Sequence, residues 1–358
     1  MKSFHCDHCG ALLAFENVRC LRCDVALGLL PDLLDLSALK AEKTGLFRAL
    51  APAAADRSYR RCPNGLQHEA CNWYVPVADP EPFCLACRLN EMIPDPTVAG
   101  NGERWLRVEL AKRRLVYTLL RLGLPLHEVA AVHSPALRFR FLGDVPGAAQ
   151  VLTGHEAGVI TLNIAEADEV ERERRRVSLH EPLRTLPAHF RHEAGHFYWG
   201  RLVASSAWLE PFRQVFGDET ADYAVALEAY HRQGPPLEWL ERGVSAYASA
   251  HPWEDWAETW AHYLHMVDTL ETAAGFGLSV KPRHPAATPL AVDPGPIIQS
   301  QADFDAVFAN WLPLTLALNS INRGMGLPDL YPFVLAPAAV EKLRFVHSVI
   351  TEAAAGRT

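Results

Sequence analysis

His192-Glu193-Ala194-Gly195-His196 is the stretch that decides how this chain is interpreted. On a helix, two histidines four residues apart lie one turn from each other on the same face, so both rings can reach one metal ion. Glu193 lies beside that pair, where its carboxylate could take a proton from a water on the metal. Apolar residues flank the motif, and Pro187 fits only near a helix start. We therefore expect a buried helix that begins around residues 185–187.

A catalytic zinc site needs three protein ligands and one open position, so a third ligand must come from elsewhere in the chain. A third histidine at a short fixed spacing is absent, because the third and sixth positions after His196 hold tryptophan and leucine. A downstream segment offers two carboxylates at helical spacing, Glu254 and Glu258. We prefer Glu254 as the third ligand. Asp255 and Glu258 are the alternatives, since a slight rotation or one helical turn separates them from Glu254.

Eight cysteines fall into two sets of four near the start of the chain. The first set is Cys6, Cys9, Cys20 and Cys23, and the second is Cys62, Cys71, Cys84 and Cys87. Paired Cys-x-x-Cys loops in the first set have the ligand spacing of a zinc ribbon, whereas the second set is spaced more loosely. We expect one structural zinc ion in each set. Disulfides, or a redox pair at Cys84 and Cys87, are the competing interpretations, but neither a secretory nor a thioredoxin-like context supports them.

Composition limits the classes of function that fit. The 358 residues are 49% hydrophobic, which is ample for a sizeable core. A formal net charge of −8 argues against a protein that binds nucleic acid or anionic membranes nonspecifically. No apolar run has the length of a membrane span, and the first residues lack an apolar signal region. We therefore expect a cytoplasmic protein, in which reduced thiols favour metal binding.

Turn residues and apolar periodicity divide the rest of the chain. Two prolines and a Gly-Asn-Gly turn at residues 94–102 indicate a boundary after the cysteine-rich head. Inside the head we expect short amphipathic turns at 32–40 and 44–50, and beyond it β-structure at 137–164. Helices are expected from residue 103 onwards and at 166–176, 208–230, 254–272, 303–323 and 338–354.

The segment from Tyr247 to Glu258 resembles the corresponding region of the anthrax lethal factor protease domain. In that family one glutamate ligates zinc, a second orients a zinc histidine and a tyrosine stabilises the oxyanion of the tetrahedral intermediate. The resemblance implies Glu254 as the ligand and Glu258, or Asp255, as the outer partner of a histidine. It implies Tyr247 as the oxyanion stabiliser, beside Glu193 as the general base.

Over most of its length the chain is similar to the bacterial "putative zinc-binding metallopeptidase" family, which joins a zinc-ribbon head to a zincin domain. The similarity runs from the cysteine-rich start through residues 190–199 and 252–258 to 329–334. It implies an α+β fold, with a head at 1–95 and a mostly helical zincin-like domain with a small mixed sheet at 103–358.

The same similarity implies a gluzincin-like zinc peptidase with one catalytic and two structural zinc ions, acting on a peptide or protein substrate. In zincins a strand before the active-site helix runs along the cleft, and substrate pairs with its exposed edge. We assign that role to residues 158–164.

Two other interpretations stay open. The first is an adaptor whose zinc ribbons bind a protein partner while the zincin body is inactive. Only an enzyme, and not an adaptor, would need Glu193 and Tyr247, and both residues are present. The second is a DNA-associated protease, against which the acidic balance and the lack of a basic stretch with interleaved aromatic residues both count.

Overall fold

The computed structural model describes residues 2–54, 57–127, 135–144, 147, 151–178, 184–284, 288, 290–295 and 303–356. The strands are β1 (Phe4–His5), β2 (Leu12–Leu13), β3 (Ala26–Leu30), β4 (Asp35–Ala41), β5 (Phe47–Ala49), β6 (Ser58–Arg61), β7 (Tyr74–Pro76), β8 (Asn90–Met92), β9 (Arg138–Leu142), β10 (Gly154–Glu156) and β11 (Val159–Asn163). The helices are α1 (Pro63–Gln67), α2 (Asn101–Arg121), α3 (Glu169–Ser178), α4 (Leu186–Leu202), α5 (Leu209–Phe216), α6 (Tyr223–Gln233), α7 (Trp239–Arg242), α8 (Pro252–Gly275), α9 (Phe304–Gly324) and α10 (Pro337–Ala355). The predicted α+β class is confirmed.

The cysteine-rich head is built on a five-stranded antiparallel sheet in the order β3-β4-β5-β6-β7. A bridge between Leu29 and Trp73 brings β7 back to β3, so the sheet curls towards a small barrel. The expectation of amphipathic turns at 32–40 and 44–50 is wrong, because these stretches contain β4 and β5. In β4 the run 36–39 is buried throughout, and a short continuous apolar run does not by itself distinguish strand from helix.

A second sheet has four strands in the order β10-β11-β9-β8. β9 and β11 pair in parallel, and β10 joins β11 antiparallel at one edge. The expectation that residues 158–164 form the exposed edge is therefore wrong: β11 lies inside the sheet, and β10 is the edge strand. β8 closes the other side by pairing in parallel with β9. A strand from the predicted head thus belongs to the sheet of the following domain.

Helix α2 joins the head to the helical part through buried polar contacts. Lys112 and Glu109 form an ion pair at 2.8 Å with both side chains fully buried. Asn90 in β8 bonds both charges, accepting from Lys112 at 2.6 Å and donating to Glu109. Arg113 donates to the carbonyl of Ala70 beside the second cysteine set. Because buried charges are costly unless they are paired, these contacts tie the head to α2 in one arrangement.

The helical part is organised around α4 and α8. One cluster of buried apolar side chains runs from the head through α2 and β9 to α4, α8 and α10. The segment predicted to be helical at 208–230 is two helices, α5 and α6, and Gly217 between them has a positive φ of 106°. No residue of α6 is buried. Within the described residues, no helix is both long and apolar enough to cross a membrane.

Candidate metal centre

Helix α4 begins as the sequence predicts. Thr185 caps it by accepting a hydrogen bond from the backbone of Ala188 at 3.2 Å, and Pro187 occupies the first turn, where its missing N–H costs nothing. The helix packs against α8, against α2 and against the strands β10 and β11. The two histidine rings of the motif lie 4.9 Å apart on its α8 side.

Gly195 allows α4 and α8 to approach each other closely. A Cβ atom at this position would lie 2.9 Å from the Cα of Ala257, closer than such atoms come in real structures. Trp256 reinforces the contact by donating its indole N–H to the Gly195 carbonyl at 2.8 Å. The close approach brings the first turn of α8, which carries Glu254, up to the two histidines of α4.

Three side chains converge at this crossing. Glu254 Oε2 lies 3.0 Å from Nε2 of His192 and 3.5 Å from Nε2 of His196, and the two Nε2 atoms are 3.2 Å apart. A tetrahedral zinc ion with bonds of about 2.0–2.1 Å would separate its ligand atoms by about 3.3–3.4 Å. The observed triangle has that size. Glu254 Oε2 is buried and, among the described residues, has no hydrogen-bond donor. The donor set therefore fits a zinc ion.

The other carboxylate oxygen of Glu254 accepts a hydrogen bond from the Tyr223 hydroxyl at 2.5 Å. Tyr223 opens α6, and it fixes the orientation of the Glu254 carboxylate. The sequence interpretation missed this residue. No local pattern marks it, since the contact depends on how the segment between α4 and α8 folds back over the site.

Glu258 orients the first histidine. Its Oε1 lies 2.7 Å from Nδ1 of His192, and its Oε2 accepts from the Ser245 hydroxyl at 2.5 Å. The structure thus places Glu258 beside His192, and its role as the outer partner of a zinc histidine stays a prediction. Burial alone would lower the pKa of His192, but the carboxylates of Glu254 and Glu258 raise it well above its usual value. The same carboxylates would stabilise a cation held between the ligands.

Asp255 does not take part, contrary to its place among the alternatives. Its carboxylate bonds Lys342 of α10 at 2.5 Å and lies near the Thr259 hydroxyl at 3.5 Å. One residue along a helix is a rotation of about 100°, so Asp255 faces α10 while Glu254 faces α4. Burial raises the pKa of Asp255 to about 6, although Lys342 opposes the shift.

Glu193 and Tyr247 line one cavity of about 350 Å³ beside the three converging side chains. Burial raises the pKa of Glu193, while the neighbouring His192 and His196 act in the opposite direction. The Tyr247 ring lies 6.0 Å from the His192 ring. Burial, followed by the charge of Glu254, raises the pKa of Tyr247, so its hydroxyl stays protonated and able to donate.

Both cysteine sets come together as the spacing predicts, and all eight cysteines are free thiols. In the first set, the Sγ atoms of Cys6 and Cys23 are 3.8 Å apart and those of Cys9 and Cys20 are 3.6 Å apart. In the second set, Cys71 and Cys84 are 3.6 Å apart at the sulfur atoms. A tetrahedral zinc ion with Zn–S bonds of about 2.3 Å separates its sulfur ligands by about 3.8 Å. Both sets therefore fit zinc, and the sulfur separations are too long for disulfides.

Known protein families match both parts of the chain. Residues 101–349 match the family described as "Putative zinc-binding metallo-peptidase", and residues 3–98 match a zinc-ribbon domain. The chain belongs to this metallopeptidase family. Relatives include the "Uncharacterized protein Rv2568c" of Mycobacterium tuberculosis and the "Uncharacterized protein Mb2598c" of Mycobacterium bovis. Each is 44% identical over 355 residues, which cover 99% of this chain and 96% of the relative.

Membership of the metallopeptidase family confirms the similarity found in the sequence. No solved structure matches the chain. The resemblance of the Tyr247–Glu258 segment to anthrax lethal factor therefore stays a prediction. A zinc-binding peptidase family, a zinc-ribbon head and three clusters of metal-binding side chains together support zinc as the metal.

Proposed function

We propose that this protein is a zinc-dependent peptidase of the gluzincin type, with His192, His196 and Glu254 as ligands of the catalytic zinc. The observation that supports the proposal most is the triangle of ligand atoms, whose sides of 3.0, 3.2 and 3.5 Å suit a tetrahedral ion. Two imidazoles and one carboxylate are the ligand set of hydrolytic zinc sites that keep one position open. The substrate class is a peptide or a protein.

The mechanism assigns one role to each side chain around the ligands. Zinc, when bound, acidifies a water molecule towards neutral pH and polarises the scissile carbonyl. The Glu193 carboxylate takes the proton from the attacking water and passes a proton to the leaving amine nitrogen. The Tyr247 hydroxyl donates a hydrogen bond to the carbonyl oxygen as negative charge develops there, a contribution of about 3 kcal/mol. Glu258 holds His192 with Nδ1–H as donor, which leaves the Nε2 lone pair for the metal.

We assign one structural zinc ion to each cysteine set. Four sulfur ligands fill a tetrahedral ion, so these sites would be closed and catalytically inert. Eight free thiols among the described residues also favour a reducing compartment, which we take to be the cytoplasm.

The test uses the full-length protein and the Glu193→Gln variant. Both should carry about three zinc ions per chain by elemental analysis, and a His192→Ala/His196→Ala variant should retain about two. Peptide hydrolysis by Glu193→Gln should fall by about 10²–10⁴-fold while its zinc content is unchanged. Normal cleavage by Glu193→Gln would contradict the mechanism.

The adaptor alternative makes the opposite prediction about the wild type. An adaptor with an inactive body would carry the two structural zinc ions, yet the wild-type protein would cleave no peptide in a degenerate library. A DNA-associated protease would bind DNA in a gel-shift assay, and this binding would weaken as the salt concentration rises. The net charge of −8 favours neither nucleic acid nor an acidic surface as partner.

A further inference from the structure

The lining of the cavity beside the proposed zinc site extends beyond Glu193 and Tyr247. Residues of α4, of α8 and of the segment before α10 form a further part of it, which we call the far chamber. The lining residues of this far chamber are Ala188, Ala261, His262, His265, Tyr331 and Phe333. The mechanism uses none of them. A cavity of about 350 Å³ is large enough to take part of a ligand as well as the reacting group.

The walls of the far chamber are rings held in fixed positions. Phe333 packs edge-on against His262, with centroids 4.4 Å apart, and Tyr331 lies 5.1 Å from Phe333. The Tyr331 hydroxyl bonds Nδ1 of His262 at 2.6 Å. Asn319 of α9 bonds both the N–H and the carbonyl of Tyr331, at 3.0 and 2.8 Å. Because these contacts fix the backbone as well as the rings, the chamber is formed before a ligand arrives.

The arginines that line the cavity are already paired. Arg191 bonds Asp268 at 2.6 Å, and Arg184 bonds Glu166 at 2.8 Å. Each arginine that lines the cavity is thus matched by a carboxylate partner. An acidic side chain entering here would lose its hydration without finding an unmatched positive charge among these arginines, which is costly.

The histidines of the chamber are uncharged. Arg191 Nη1 lies 3.2 Å from Nδ1 of His265, and since a guanidinium group can only donate, that nitrogen accepts and the ring is neutral. Burial lowers the pKa of His265 to about 3 and that of His262 to about 4. A neutral imidazole edge is a suitable neighbour for another ring.

The chamber also lies where a bound peptide would place a side chain. Thr153, directly before the edge strand β10, lines the same cavity as Glu193 and His192. A substrate strand paired with β10 would pass the zinc site and direct alternate side chains towards the cavity. Two small residues on facing helices, Ala188 of α4 and Ala261 of α8, leave the space for that side chain.

We infer that this chamber is the specificity pocket of the peptidase and that it selects an uncharged aromatic side chain next to the scissile bond. The inference rests on the proposed function, because it names the substrate of the same site. Phe333 and Tyr331 contact the substrate ring, and Ala188 sets the depth of the pocket.

Cleavage of matched peptides tests the inference. A degenerate library digested by the zinc-loaded full-length protein gives the cleavage position by mass spectrometry, and peptides with Phe, Ala, Asp or Lys at the flanking position are then compared. We expect kcat/KM for the Phe peptide to exceed the other three by about tenfold or more. Phe333→Ala should lower kcat/KM for the Phe peptide about tenfold and change the Ala peptide by less than about twofold. Ala188→Leu should fill the pocket, so that kcat/KM becomes higher for the Ala peptide than for the Phe peptide.

Val334→Ala is the matched control, since Val334 follows Phe333 in the chain but is 79% exposed and outside the cavity lining. Val334→Ala should leave kcat/KM unchanged for both the Phe peptide and the Ala peptide. Equal or faster cleavage of the Asp or Lys peptide would overturn the inference, as would Phe333→Ala and Ala188→Leu variants with wild-type selectivity.

A binding measurement separates failure of the pocket from failure of the enzyme. Fluorescence anisotropy with labelled peptides and the Glu193→Gln variant should show the Phe peptide binding about tenfold more tightly than the Asp peptide. If the wild type cleaves nothing, the proposed function fails, and this ranking still decides the pocket. Equal binding of the two peptides would count against the pocket even in an active enzyme.

Discussion

The Nδ1 atom of His192 and the Oε1 atom of Glu258 lie 2.7 Å apart. On α8, Glu258 follows the proposed ligand Glu254 by one helical turn. The same helix therefore supplies both a ligand and the group that orients another ligand. Ser245 donates a hydrogen bond to the second carboxylate oxygen of Glu258. Because an imidazole that donates from Nδ1 presents its lone pair at Nε2, this contact selects the ring form that a metal needs.

Replacing Glu258 with alanine should therefore weaken zinc binding at this site. Loss of a carboxylate that orients a metal histidine costs about 10–100-fold in metal affinity or activity. Competition with a chromogenic chelator measures the affinity, and of the three proposed zinc ions only the one at His192 should change. Glu352→Ala, an exposed carboxylate on α10, is the control. Unchanged zinc affinity in Glu258→Ala would show that the contact does not support the ligand.

The close contact of α4 and α8 gives a second prediction. Gly195→Ala forces a methyl group against the Ala257 backbone, so we expect a loss of about 1–3 kcal/mol in the free energy of unfolding. Zinc affinity should fall as well, because the added methyl group displaces Glu254 from the histidines. Denaturant unfolding and chelator competition measure the two effects.

Gly200→Ala is the matched control on the same helix. A Cβ atom at Gly200 meets no atom within 4 Å, and the residue is exposed. Alanine at a solvent-exposed helical position should stabilise the protein by about 0.5–1 kcal/mol. If Gly195→Ala proved as stable as Gly200→Ala, the close approach of the helices would not require glycine.

Glu166 gives a prediction about pH. Burial alone would raise its pKa, but the hydrogen bond from Arg184 and the charges of Arg184 and Arg175 lower it below the usual value near 4.5. A carboxyl group with a lowered pKa in the folded state contributes stability above its unfolded pKa and loses it as the pH falls through the folded pKa. The wild type should therefore lose this contribution progressively below pH 4.5.

Glu166→Gln should be less stable than the wild type by about 3 kcal/mol at pH 7, because the partly buried Arg184 and Arg175 lose the charge of the Glu166 carboxylate. The difference should shrink as the pH is lowered through the folded pKa. Glu169→Gln changes an exposed carboxylate three residues along the chain and should have little effect. Urea unfolding at several pH values measures all three proteins, and a difference independent of pH would refute the assignment.

Local patterns predicted the parts of the site that local geometry controls. The pairing of His192 with His196 and the start of α4 follow from helix periodicity and capping, which act within a few residues. The cysteine sets follow from the short reach of Cys-x-x-Cys loops. The approach of Glu254 to the histidines depends on packing between helices far apart in sequence. The prediction of Glu254 as a ligand therefore rested on the absence of a third histidine at the expected spacing and on the resemblance to the anthrax lethal factor region.

The errors have the same origin. Asp255 and Glu254 are adjacent in sequence, and only the position of α10 and Lys342 decides which of them turns towards α4. Tyr223 carries no sequence signal, because its role arises where α6 meets the site. Strand order is likewise set by long-range pairing, so the edge position of β10 could not be read from the alternation of its residues.

The pairing of β8 with β9 bears on how the protein can be divided. A chain shortened to begin at Asn101 would lack β8, and the backbone groups of β9 along that side would lose their partners. In the shortened chain, the fully buried Lys112 and Glu109 would also lose their hydrogen bonds to the side-chain amide of Asn90. Unpaired strand edges recruit other chains, so the isolated catalytic half is prone to self-association. The zinc-ribbon half therefore contributes a strand and a buried hydrogen-bonding partner to the helical half. Removing it would destabilise the helical half as well.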